Sequence, residues 1–498
     1  MLCLLGACSG NADVEPAFQF EEPIDDVASF DADPGDLSEP DRGHQHEEEV
    51  AVVIPSRGAV DGEPCKQDVD CRGGTCINAP DWQDGYCTTM NCIDLESCAT
   101  DYQDNRCFRG SEPNFCVRMC QVDGDCRDGY ICTRVGFRTS FCAPDTTPRI
   151  DLDALENLPF ELSCTPSEGG TVEFSYAIAP ETLAYMVTPI SRDGRRLRPS
   201  HVTTPSGATI NFQTTNAFQT VPSQLFGSMN PTVVPAIGRF ADQLESGEHT
   251  YHLRTEANEV CHYLLEESTP GTTIDLNVYL VGVHGVTAIS AEENASIQRV
   301  LSQFAAIYES AAIRLGEVNF HDISGDDALR FSVIRSQTEV MQLVALSRQP
   351  EGDLSRSLSA NIFFVRQFAF SDGGGAIGIS LGLPGAAGLH GSPVSGVVFT
   401  SEYMGTAFEE RDGSVVDGDD FTGVVLAHEL GHYLGLFHTS EHFSQGFDPL
   451  EDTPECRSGF PSRCPDLGNL MFPLASVTHT NLTDDQAWVV RVNPLTKD

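Results

Sequence analysis

Hydrophobic residues recur along this chain with two periods, every second residue in some stretches and every third or fourth in others. Between about Ile150 and Ser268 the apolar runs are short and alternating, at Thr171–Ile178, Leu183–Pro189, Ala208–Phe212 and Thr250–Thr255. Gly, Pro and Asn punctuate them, a pattern that predicts an antiparallel β-sandwich. His201, His249, His252 and His262 fall in this stretch and read as ordinary strand residues. Further on, Ile274–Val283 has the continuous apolar character of a buried strand. Glu292–Arg314 then sets Ile297, Val300, Leu301, Phe304, Ile307, Tyr308 and Ala311 at helical spacing. Phe331–Ile334, Asn361–Val365, Ala376–Leu383 and Gly396–Thr400 predict further strands, with Gln337–Ser347 as a second helix. Strands alternating with helices imply a mixed α/β sheet with its site at the edge. No apolar run reaches the length of a membrane span.

Cysteine spacing changes the picture upstream. Of 18 cysteines, twelve lie between Cys65 and Cys142 and divide into three units of four. These are Cys65, Cys71, Cys76 and Cys87; Cys92, Cys98, Cys107 and Cys116; and Cys120, Cys126, Cys132 and Cys142. Each unit opens with C-x5-C and closes on an aromatic-Cys pair, and the first and third share Cys-x-x-Asp-x-Asp-Cys-Arg. Such regularity predicts small disulfide-stapled modules in an oxidising compartment. A zinc ribbon is the rival, although paired Cys-x2-Cys knuckles are missing. Spacing leaves the pairing within each unit open. Cys164 and Cys261 are expected to staple one domain, and Cys456 and Cys464 to close a loop.

The N-terminus carries two more expectations. Leu5-Gly6-Ala7-Cys8 fits a bacterial lipobox, so residues 1–8 read as a truncated lipoprotein signal, with a free apolar terminus as the alternative. Residues 9–60 read as an acidic disordered tether. Fourteen carboxylates stand between Ser9 and Val50 against Arg42 alone, and no core can form there. His44 and His46 could bind metal weakly, but a solvated tail is the simpler reading. Across all 498 residues, 29 basic against 73 acidic side chains give a formal charge of −44, which makes nucleic acid an unsuitable partner.

The densest chemistry lies at Ala427-His-Glu-Leu-Gly-His-Tyr-Leu-Gly-Leu-Phe-His438. On a helix His428 and His432 share a face and can reach one ion. Glu429 stands beside that face, where it can hold a metal-bound water instead of the metal. Gly435 permits positive φ, so the helix can stop and swing His438 back as third ligand. Three protein ligands leave one position open, the mark of a catalytic site more than a structural one. The bland alternative is a helix carrying satisfied surface histidines.

H-E-x-x-H-x-x-G-x-x-H resembles the metzincin metallopeptidase signature. Asp452-Thr453-Pro454, the pair Cys456 and Cys464, and Asn469-Leu470-Met471 follow in the order seen in the pappalysin family, over roughly residues 272–498. The resemblance implies zinc held by His428, His432 and His438, Glu429 as general base, and Met471 beneath the site. It also implies a calcium ion near the methionine turn, with ligands that sequence does not place. One position departs: Phe472 and Pro473 stand where pappalysins carry a tyrosine, leaving the zinc to hold most of the oxyanion charge.

The expected chain is therefore multidomain: cysteine repeats (61–145), an antiparallel β-sandwich (150–268) and an α/β metzincin-like zinc peptidase domain (272–498). The expected activity is hydrolysis of extracellular protein or peptide substrates by a monomer, at the cell surface of a bacterium or secreted. Membrane attachment would come only through a lipid on Cys8. The alternative is a catalytically silent surface-binding protein that keeps its zinc. A third reading lets the sandwich and the repeats bind a polymer or a cell surface while the peptidase acts nearby. By the same resemblance substrate would lie along Ala376–Leu383. Gly378 and Gly382 would admit its backbone, while Ile377, Ile379, Leu381 and Leu383 anchor the strand. An interior strand with glycines at a bulge is the alternative.

Overall fold

The computed structural model describes residues 58–498, except 79–81, 94–96, 100–104, 109–114, 122, 136–138, 146–148, 156, 213–226, 284, 349–357, 371–375, 410–413, 442–445 and 459–460. The expectations for Cys3, Cys8, His44, His46 and the acidic tether lie outside the described residues. Two compact units are distinguished, one ending at Asp145 and one running from Thr146 to Asp498.

In the first unit each cysteine quartet folds on one hairpin: Gly74–Ile77 with Tyr86–Thr89, Asn105–Phe108 with Phe115–Arg118, and Tyr130–Val135 with Thr139–Pro144. The first cysteine of each quartet pairs with the third and the second with the fourth. The bonds are Cys65–Cys76, Cys71–Cys87, Cys92–Cys107, Cys98–Cys116, Cys120–Cys132 and Cys126–Cys142. No thiolate among the twelve is left for a zinc ribbon. The shared aspartates cap the turn between the first two cysteines. Asp70 accepts the N–H groups of Lys66 and Gln67, and Asp125 accepts that of Gln121.

The second unit begins with eight strands. They are β1 (Ser163–Pro166), β2 (Thr171–Ile178), β3 (Ala184–Ser191), β4 (Leu197–Thr203), β5 (Thr209–Asn211), β6 (Thr232–Val234), β7 (Gly247–Thr255) and β8 (Glu259–Glu267). They form two antiparallel four-stranded sheets, ordered β5-β4-β7-β2 and β6-β3-β8-β1. Val172, Phe174, Tyr185, Val187, Val202, Tyr251 and Val260 fill the space between them. Cys164 and Cys261 face each other across β1 and β8 and are bonded. The four histidines are strand residues, as expected: His262, for example, stacks on Phe174 and meets Tyr176 Oη and Thr165 Oγ1.

β3 is buried at all eight positions. Tyr185 and Val187 point into the sandwich, while Ala184 and Met186 enter the core of the chain that follows. That chain holds β9 (Thr273–Val281), α1 (Ala295–Glu309), β10 (Arg314–Ile323), α2 (Gly325–Phe331), α3 (Gln337–Val344), β11 (Ala360–Val365), β12 (Gly378–Ser380), β13 (Val397–Thr400), α4 (Gly418–Leu434) and α5 (Asp484–Arg491). The sheet order is β10-β9-β11-β13-β12, parallel except for β12, with Thr496–Lys497 added against β9.

Three sequence expectations need correction. The first long helix starts at Ala295, with Asn294 accepting the Ile297 N–H as its cap, and stops at Glu309, so Ala311–Arg314 leave it. Phe331 ends α2, leaving Val333–Ile334 as the strand. Ala376–Leu383 shrinks to Gly378–Ser380, an edge strand among the described residues. No described helix is long and apolar enough to cross a membrane.

Candidate metal centre

α4 is buried on every face from Phe421 to Leu434, the environment of a helix run through a core and not over a surface. Its start is fixed by charge. Asp417 caps it by accepting the Asp419 N–H, and Arg299 from α1 grips Asp420 through two hydrogen bonds of 2.8 and 2.9 Å. Its end is fixed by backbone. Gly435 has φ of 113°, and the Leu436 N–H returns to the Gly431 carbonyl. The chain thereby reverses and brings His438 under the helix.

There His438 Nε2 lies 3.2 Å from His428 Nε2 and 3.1 Å from His432 Nε2. The remaining nitrogens decide what this means. His428 Nδ1 is 2.7 Å from the Leu470 carbonyl and His432 Nδ1 is 2.7 Å from the Leu436 carbonyl. A carbonyl only accepts, so each Nδ1 carries the proton and each Nε2 presents a lone pair. Burial, then the neighbouring His438 and His428, hold the His432 pKa well below the ordinary histidine value, which keeps it neutral. The two lone pairs turned toward a third imidazole can be met by a proton on His438 Nε2 or by a metal ion set among the three nitrogens. Tetrahedral zinc with Zn–N near 2.0–2.1 Å sets its nitrogens about 3.3 Å apart, which fits the spacing here.

Met471 lies below, and Gly431 makes room for it: a Cβ there would stand 2.8 Å from the Met471 sulfur. The turn around Met471 is held by an amide pair. Asn469 Nδ2 donates to Gln486 Oε1 at 2.8 Å, and Gln486 Nε2 donates back to Asn469 Oδ1 at 3.1 Å. Gln486 is fully buried and also closes a capping box with Thr483 at the start of α5. Sequence reasoning missed it, although Thr483-x-x-Gln486 is a readable capping signal. Cys456 and Cys464 are bonded, and Phe472 packs in their cluster.

Glu429 is 5 % exposed, and burial pushes its pKa up to about 8 against the lowering influence of the Ser380 backbone N–H. The neighbouring Tyr433 donates its hydroxyl to the Ala386 carbonyl at 3.0 Å, tying α4 to the loop after β12. The glycine at 378 has a different job from the one its sequence suggested. Its missing side chain faces Glu429, whereas an incoming strand would pair in the plane of the sheet. Gly382 packs on Gly385.

A second polar cluster was not singled out in the sequence. Asp448 accepts from the Thr453 hydroxyl and the Leu450 N–H through one oxygen; its other oxygen is buried without a partner. Asp466 accepts from Thr439 at 2.6 Å and likewise keeps a buried, unpartnered oxygen. Burial first, and Asp452 and Asp466 nearby, raise the Asp448 pKa to about 7. Isolated aspartates 18 positions apart give no sequence signal in so acidic a chain.

No family model matches this chain, and no curated protein does. Among solved structures, metalloproteinase-II from Bacteroides fragilis aligns at 14% identity with a TM-score of 0.25, covering 48% of this chain and 63% of that one. The match thus spans less than two thirds of the Bacteroides protein. A zinc-dependent peptidase from Methanocorpusculum labreanum aligns at 10% identity and 0.21, covering 40% of this chain and 87% of its own. A family two carbohydrate esterase from Cellvibrio japonicus aligns at 9% and 0.12, covering 45% and 77%. Likenesses this weak assign neither a subfamily nor a function.

Proposed function

We propose that this chain is a zinc-dependent endopeptidase that hydrolyses extracellular protein substrates. One observation carries the reading: three buried imidazoles converge through Nε2, two of them with Nδ1 committed to a carbonyl. His428, His432 and His438 would hold the metal. Bound zinc would supply a Lewis acid for the scissile carbonyl and lower the pKa of water. Glu429 takes the proton from the attacking water and delivers it to the leaving amine. Leu470 and Leu436 keep the two histidines in the tautomer that binds metal.

For the calcium implied by the family resemblance, Asp448 and Asp466 are the candidate ligands. Asp448 and Asp466 offer hard oxygen donors whose unpartnered, buried atoms fit a divalent cation. Extensive disulfide bonding supports an extracellular or surface location.

The test uses purified protein on an unstructured protein such as casein. Cleavage is expected, and Glu429→Gln should lower kcat by about 10²–10⁴-fold while about one zinc per chain remains. His438→Ala should lose the zinc. Zinc bound at full occupancy with no cleavage of any protein substrate would favour the silent binding protein instead.

A further inference from the structure

We propose that β12 is a positioning strand for Glu429, acting through Gly378 and the Ser380 N–H. The inference rests on the reading of Glu429 as the base. Three observations meet on this strand. The first is space: a Cβ at Gly378 would lie 2.4 Å from Glu429 Cγ, 2.8 Å from Cδ and 2.6 Å from Oε1. No side chain other than hydrogen can occupy position 378 while Glu429 keeps its rotamer.

The second is hydrogen bonding. The Leu381 N–H donates to Gly396 and the Ile377 carbonyl accepts from Thr400, with Ile379 opposite Val398. In an antiparallel ladder successive residues turn their polar groups to opposite sides. Gly378 and Ser380 therefore present theirs away from β13, toward the open edge. On that edge the Ser380 N–H faces Glu429 and lowers its pKa against the effect of burial. A main-chain donor on the strand would thus steady the carboxylate that Gly378 makes room for.

The third is rigidity. Ile377, Ile379, Leu381 and Leu383 are all buried, so the strand cannot easily follow a displaced glutamate. The loop after it is fastened from two sides. Tyr433 donates to Ala386 and Tyr263 of β8 donates to Ala387 at 2.9 Å. The sandwich thereby supports the strand that holds the base.

A proline at Ser380 has a double meaning in this geometry. It would obstruct a substrate strand pairing at the edge, and it also removes the main-chain donor that faces Glu429. Because that N–H points away from the ladder, the substitution costs no sheet hydrogen bond.

The experiment combines melting and kinetics on the zinc-loaded full chain. Gly378→Ala should lower Tm in the wild-type background and leave it nearly unchanged in Glu429→Ala, where the clashing atoms are gone. In steady state, Gly378→Ala and Ser380→Pro should lower kcat about tenfold or more, with KM moved less than about twofold. Ser380→Ala keeps the N–H and should recover most of the kcat lost in Ser380→Pro. Equal melting losses in both backgrounds would overturn the contact. An unchanged kcat in Gly378→Ala, or Ser380→Ala as damaged as Ser380→Pro, would overturn the positioning role. If the wild type cleaves nothing, the peptidase reading and the base role fall together, while the melting cycle still decides whether Gly378 and Glu429 are coupled.

Discussion

Between Cys65 and Cys142 six disulfides accompany hydrophobic clusters of only a few residues, several of them made mostly of the cysteines themselves. From Thr146 to Asp498 two disulfides accompany continuous apolar cores that run from the sandwich into the α/β sheet. Short hairpins cannot remove enough apolar surface from water to offset their chain entropy, so the repeats are held by crosslinks. The larger unit buries Phe304, Phe364, Phe399 and Tyr308 completely and can hold a buried polar site against its own core. The difference also governs buried acids. Asp61 in the repeats and Asp448 near the metal centre are both pushed up to about 7, chiefly by burial. Both Asp61 oxygens accept hydrogen bonds, from Thr89 and from the Ala99 N–H. Asp448 leaves one oxygen bare.

Reduction should separate the two regions most sharply. The repeat disulfides close loops with separations of 11 to 18 residues, each worth about 3 kcal/mol in the chain-entropy picture. Losing six of them exceeds any stability such small clusters provide. In reductant, hydrogen exchange should show residues 65–142 fully unprotected, while α4 and β9 keep slow amides. Protection surviving in the repeats would mean that packing, not crosslinking, holds them.

Calcium should divide the two aspartates. A carboxyl whose folded pKa is raised above its usual 3.8 favours the folded state below that value and loses the contribution as pH rises toward about 7. For Asp448 without a cation the loss is on the order of 4 kcal/mol between pH 4 and 7. Bound calcium should remove it, since the ion needs the charged form. The expected measurement is a denaturation midpoint against pH, with calcium or with a calcium-selective chelator. Asp448→Asn should abolish the calcium effect and Asp61→Asn should not. A midpoint indifferent to calcium at pH 7 would remove the second cation.

The candidate site was legible in proportion to how tightly its residues cluster along the chain. A helix and one reversal bring His428, Glu429, His432 and His438 together, so eleven consecutive residues carry the chemistry. Gln486, Asp448 and Asp466 are brought in by tertiary folding and carry no local period. Strands followed the same logic. β2 alternates buried and exposed and was readable, whereas β8, whose buried positions run consecutively from Val260 to Tyr263, was given no bounds beyond its His262. β10 was hidden by a bulge. Its register slips where Leu315 pairs with Ile274 and Val318 with Leu276, so these two apolar residues stand three apart and break the strand alternation that Val318 and Phe320 resume.

The smallest effect concerns the seam by which the larger unit holds its sandwich to its sheet. Tyr263 is fully buried, its ring stacked on Phe160 with centroids 3.6 Å apart, and its hydroxyl donates to the Ala387 carbonyl at 2.9 Å. Tyr263→Phe keeps the ring and its stacking and removes only the donor. The Ala387 carbonyl is then left buried without that partner, which costs about 1–2 kcal/mol. A drop of a few degrees in Tm is expected for a unit this large, because its unfolding entropy is high. Reduction of the repeats should neither add to this loss nor hide it. The loop from Leu383 to Gly391 loses its bond to the sandwich while its bonds to Tyr433, Asn361 and Ser347 remain, so kcat should fall slightly with KM unchanged. Tyr263→Leu should cost more, because it also gives up the stacked ring. If Tyr263→Phe is neutral in melting and in kcat, the Ala387 bond contributes nothing to the seam, which is then held by apolar burial and by other contacts such as Arg239–Glu451.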